Sequence, residues 1–195
     1  MKHKAVSIVV PLVVVAVIVG LMALFVSQDK GGADALTVDG SSVSQATLNR
    51  ELSAWADSGL AQTATGAPAK TSSGAISADF TALWLTARIT GVAVDHVLAR
   101  HNLRVTAADR REAVSSFPPA ITHLPRSAFD TYIGAVAGYG VLTTSLGDPS
   151  KAIDREMRRL DVSIAPKYGR WARARAEVCT WTHCVVSSQS SASTG

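Results

Sequence analysis

From Ala5 to Val26 the chain runs for twenty-two residues without a charged side chain, interrupted only by Ser7, Pro11 and Gly20. Beyond that run the apolar residues become periodic. At a rise of 1.5 Å per residue the run reaches roughly 33 Å as a helix, enough for a bilayer core of about 30 Å. A helix satisfies its own backbone in lipid, so Pro11 near its entrance is tolerable. The reading is a transmembrane anchor at residues 5–26, preceded by a cytoplasmic tail at 1–4 and followed by a linker at 27–34. Lys2 and Lys4 precede the span while Gln28, Asp29 and Lys30 follow it, so the positive-inside tendency places the remainder outside the cytoplasm. A cleaved signal peptide is the alternative. Its apolar region is shorter, and a small-x-small site follows it closely. Here Phe25-Val26-Ser27-Gln28 suits a peptidase poorly, and Ala33-Asp34-Ala35 lies well past the membrane edge.

The periodic part predicts a mainly α-helical domain of about five helices over residues 35–175, with short strands from its two ends paired. Ala35-Leu36-Thr37-Val38 reads as a strand and Asp39-Gly40 as a turn. Ser44 caps a helix carrying Leu48, Leu52 and Trp55, ended by Gly59. Residues 61–75 lack periodic apolar positions and read as a loop. From the cap Ser77 to Arg100 the pattern is the most apolar outside the anchor. Phe80, Leu83, Trp84, Ala87, Gly91, Val94 and Leu98 form its stripe, and Thr81, Arg88 and Asp95 a narrow polar face. Thr106-x-x-Asp109 predicts a capping box opening a helix to about Ser116, which Phe117-Pro118-Pro119 stops. Ser127 caps the next helix, through Phe129, Ile133, Val136, Tyr139 and Leu142, where Gly134 and Gly138 share a face and allow close packing. Asp148-Pro149 opens a helix to about Leu160, and Val162-Ser163-Ile164 alternates as a strand.

Charge adds little to this picture. With Lys2 and Lys4 set aside, 17 basic residues face 15 acidic ones, so nucleic acid is not indicated. The excess is local, with eight Lys and Arg between Lys151 and Arg175; these read as a solvated helix face followed by an exposed tail, with a surface for anionic lipid or polymer as the sharper alternative. Cys179 and Cys184 lie in the C-terminal tail, 176–195. Outside the cytoplasm such a pair is most simply a disulfide closing a short loop. A zinc site of Cys179, His183 and Cys184 would lack a fourth ligand.

The order of these elements resembles the N-terminal domain of the SurA/PrsA-like foldases, in the short actinobacterial form without the isomerase domain. The resemblance rests on Leu36-Thr37-Val38-Asp39-Gly40 with Val43-Ser44, on the long helix ending Asp95-His96-Val97-Leu98-Ala99-Arg100, on Leu103-Arg104-Val105-Thr106, and on Asp161 to Trp171 with its Pro-Lys-Tyr-Gly-Arg-Trp ending. It implies a chaperone-like domain that binds unfolded or extended segments of secreted or envelope polypeptides without ATP. Parvulin-type isomerase activity in that family belongs to a separate domain of about ninety residues, for which the intervals here leave no room. His96, His101 and His123 form no motif, and no Gly-x-Ser-x-Gly elbow, His-Glu-x-x-His or phosphate loop occurs. The expectation is therefore a protein that is no enzyme and carries no cofactor. Tyr168, Arg170 and Trp171 are the residues singled out for peptide or partner contact, with Trp171 packing back as a clasp. The alternative function is an accessory subunit of a cell-envelope membrane complex, with the anchor packed against other helices.

Overall fold

The computed structural model describes residues 32–180. The anchor expected at Ala5–Val26, and the tail beyond Thr180 with Cys184, lie outside the described residues. Asp34–Gly195 is a compact unit separate from Met1–Ala33, and its described part is mainly helical with a few short antiparallel strands.

A hairpin opens the unit. Strand β1 (Asp34–Val38) turns through Asp39 (φ 46°) and Gly40 (φ 80°) into β2 (Ser41–Ser44). Two consecutive positive φ angles match the twist of a two-residue hairpin, and Asp-Gly is the pair that adopts them most readily. β2 is an element the sequence reading passed over. On its other side β1 pairs antiparallel with β3 (Val162–Ile164), Leu36 facing Ile164 and Val38 facing Val162. The two ends of the domain thus meet in one sheet of order β2-β1-β3.

Helix α1 (Gln45–Ser58) starts at Ser44, whose hydroxyl accepts from the Thr47 N–H, and stops at Gly59 in the left-handed conformation. Where a loop was expected, Ala61–Thr65 forms a single-turn helix, α2. Left-handed glycines at 59 and 66 bracket it, and buried Leu60 and Ala61 hold it to the core. The long helix α3 (Ala78–Arg100) begins at Ser77, which accepts from the Phe80 N–H, and ends where Asn102 turns left-handed. It is apolar and long enough to cross a membrane by length and composition. That hydropathy has a local cause, because Phe80, Trp84, Leu85 and Ile89 are all buried in the domain core.

Thr106 and Asp109 form the reciprocal capping box of α4 (Ala107–Ser115). Helix α5 (Arg126–Leu146) begins directly after Pro125, one residue before the expected cap at Ser127, and no side chain caps it. Gly138 lets α5 approach α3: a Cβ there would lie 2.5 Å from Val94 Cγ1. α6 (Ser150–Met157) follows Pro149, with the Asp148 carboxylate accepting the Ser150 N–H at 2.9 Å.

The fold continues past residue 175, into the segment read as tail. β4 (Arg170–Ala172) pairs antiparallel with β5 (Glu177–Cys179). Buried Val178 donates its N–H to Thr86 Oγ1 on α3. Cys179 is disulfide-bonded.

Candidate functional site

α3 and α5 leave an open groove of about 600 Å³ along one side of their contact. Leu83, Ala87 and Val94 line it from α3, and Ala135, Val136 and Tyr139 from α5, over a floor of Trp84 and Tyr132. Leu83 and Ala87 belong to the stripe expected in the core. They are only half-buried, and Ala64 of α2 joins them in the lining.

The polar atoms of the wall are already engaged within the fold. Thr86 Oγ1 accepts from Val178, Thr90 donates to the Thr86 carbonyl, and the Tyr139 hydroxyl lies 3.4 Å from Ser150 Oγ. Trp84 Nε1 points inward to Glu51. What remains is a mainly apolar surface with the Tyr132 hydroxyl on its floor, within the roughly 300–1,000 Å³ usual for ligand sites. Burial pushes the Tyr132 phenol above its ordinary value, so it stays neutral in the groove.

Beneath the floor is an aromatic cluster. Trp55 lies 5.2 Å from Trp84 and 5.1 Å from Tyr132 between ring centroids, and Phe117 packs on Tyr132 at 5.3 Å. Next to the cluster is Glu51, fully buried on α1. Its Oε2 accepts from Trp84 Nε1 at 3.0 Å and from Arg88 at 2.6 Å. Arg88, placed by the sequence pattern on the narrow polar face of α3, is turned inward. The groove floor is held by a charge-assisted hydrogen bond rather than by packing alone.

The residues singled out from sequence are not brought together at this groove. Tyr168 lines a second cleft, of about 490 Å³, with Asn49, Leu52, Ile76, Lys167 and Gly169. Its hydroxyl donates to Asn49 Oδ1 at 2.9 Å, and Lys167 Nζ sits 4.8 Å above its ring. Trp171 packs half-buried against the core, opposite Val178. Arg170 is exposed on β4. Gly169 (φ 119°) itself lies against β5, where a side chain would collide with the Cys179 carbonyl.

A third cleft, of about 380 Å³, lies between the hairpin, α3 and α5. Its charges are partly spent, Arg88 on Glu51 and Arg110 on Asp130 at 3.2 Å. Asp95 shares its wall, and burial raises the Asp95 carboxyl pKa against the opposing pull of His96 and Arg110. His96 itself bridges elements: its Nδ1 lies 3.1 Å from Glu156 and 3.9 Å from Asp39, and Arg100 also pairs with Glu156. Among the described residues no group of three or more His, Cys, Asp or Glu is placed to hold a metal ion.

No protein-family model, curated protein or solved structure matches the chain.

The signal for Glu51 was present in the sequence. It lies three residues after Leu48 and four before Trp55, inside the apolar stripe of α1, where an unpaired charge is costly. The α3–α5 groove had no comparable signal, because periodicity marks a helix as apolar without saying which part of its stripe is left uncovered.

Proposed function

We propose that the protein is a membrane-anchored, extracytoplasmic, chaperone-like module of the SurA N-terminal type, which binds extended or unfolded polypeptide segments without ATP or catalysis. The open apolar groove between α3 and α5 carries this reading. Supporting it are the order of the elements, the uncharged run Ala5–Val26 and the antiparallel closure of the domain ends. Each large apolar side chain seated in the groove gains about 1.5–3 kcal/mol. Two or three such contacts supply about 3–9 kcal/mol before the cost of ordering the segment, so a single occupied groove binds no more tightly than about millimolar. Weak binding of that kind lets a client leave without an energy source.

The test uses the compact unit Asp34–Gly195 added to a chemically denatured client while light scattering is followed. Stoichiometric amounts should suppress aggregation. Ala87→Arg, which sets a cation in the middle of the groove, should abolish suppression while leaving the thermal melt of the unit unchanged. No suppression by the native unit would reject the reading. Recovery of one stoichiometric envelope partner from mild detergent, with no spread of secreted chains, would favour an accessory subunit instead.

A further inference from the structure

We infer that the outer face of α6, with the β4–β5 turn, docks on an anionic lipid surface. Lys151 and Arg155 on α6, and Arg159 two residues past its end, recur every four residues and all are exposed, while Ile153 and Met157 are buried on the opposite side of the helix. Arg173 Nη2 donates to the Leu160 carbonyl at 3.3 Å. That bond sets the turn containing Arg173 and Arg175 beside the C-terminal end of α6, so the basic surface runs from one element to the next.

Of the nearby carboxylates, Asp154 pairs with Arg158 at 3.0 Å and Glu177 lies 3.7 Å from Arg175, while Asp148, hydrogen-bonded by the Ser150 N–H, keeps its charge beside Lys151. Among the described residues Arg155 and Arg159 have no carboxylate partner in ion-pair range, which leaves their charge for an outside anion.

A second observation selects lipid over a soluble polyanion. Among the described residues the large hydrophobic side chains that stand exposed are Tyr139 and Leu146. Leu146 is the last residue of α5, four residues ahead of Ser150 at the start of α6, whereas Tyr139 belongs to the wall of the α3–α5 groove. Cations on phosphates, with an exposed leucine beside them at the headgroup boundary, are the pattern of an interfacial surface. A nucleic acid or acidic polymer would use the arginines and gain little from Leu146.

The full chain, held in phosphatidylcholine nanodiscs, is mixed with dense vesicles of phosphatidylcholine alone or with added phosphatidylglycerol, and co-sedimentation is measured. The native chain should sediment with the phosphatidylglycerol vesicles only, and added salt should weaken it. The double substitution R155Q/R159Q should weaken binding about 25-fold, roughly five-fold per cation removed. R155K/R159K should restore it, and L146S should weaken it without changing the salt dependence. Equal sedimentation with both vesicle types, or unchanged binding by R155Q/R159Q, overturns the assignment. So does heparin binding as tight as vesicle binding together with no effect of L146S.

Discussion

Glu51 is the residue on which the interior depends most. A carboxylate with no exposure is costly, and its bonds to Trp84 and Arg88 offset that cost only while both partners are present. Glu51→Ala should destabilise the unit by about 3–5 kcal/mol, because it leaves Arg88 nearly buried without a counter-charge. Replacing both residues by methionine should recover much of the loss, and urea denaturation of the two variants measures the difference. A single-variant cost near zero would mean that Arg88 swings to solvent. The sequence shows why half of this pair was foreseeable. Glu51 interrupts an apolar stripe, which marks it as buried. Arg88 recurs with Thr81 and Asp95 at a seven-residue interval, which reads as a narrow polar face and names no partner. Only the placement of α1 over α3, a long-range packing fact, turns Arg88 inward.

Among the elements, boundaries set by local chemistry were readable and those set by distant pairing were not. Ser44, Ser77 and Thr106 cap the helices they were expected to cap, because a side-chain oxygen and an N–H three residues on decide a helix start. β2 and β5 are three or four residues long with little periodicity, and each exists because another strand lies beside it. The caps carry a pH signature. The Thr106 O–H and N–H both donate to Asp109 Oδ2 at 2.7 Å, and those bonds hold the carboxyl below its ordinary value of 3.8. Asp148 is lowered by its bonds to Ser150. A depressed folded value means stability that is present above the unfolded pKa and lost as pH falls through the folded one. Thermal melts should therefore drop as pH falls below about 3.8, and Asp109→Asn should flatten part of that slope. Ser77→Ala, which removes a neutral cap, should cost about 1 kcal/mol at every pH.

At the scale of the whole unit, the chain is closed where its ends meet. β1 is the central strand, held by β2 on one side and by β3, arriving from over a hundred residues away, on the other. Asp39 fastens that closure. Its main-chain N–H donates to the Asp161 carbonyl at 2.9 Å, and its Oδ1 accepts the Asp161 N–H at 2.7 Å. Its Oδ2 faces His96, so the turn is also tied to α3 and, through Glu156, to α6. Three substitutions separate these roles. Asp39→Asn keeps the acceptor and tolerates the left-handed backbone, so it loses only the attraction to His96. Asp39→Gly keeps the conformation but leaves the Asp161 N–H without its acceptor, at about 0.5–1.5 kcal/mol. Asp39→Ala loses the acceptor and also strains a positive φ, adding about 1–2 kcal/mol. The expected order of melting temperature is native, Asn, Gly, Ala. If β1 and β3 close the domain as one cooperative body, all four proteins should unfold in a single transition followed alike by tryptophan fluorescence and by circular dichroism. A separate early transition in Asp39→Ala would show instead that the sheet detaches while the helices stay packed.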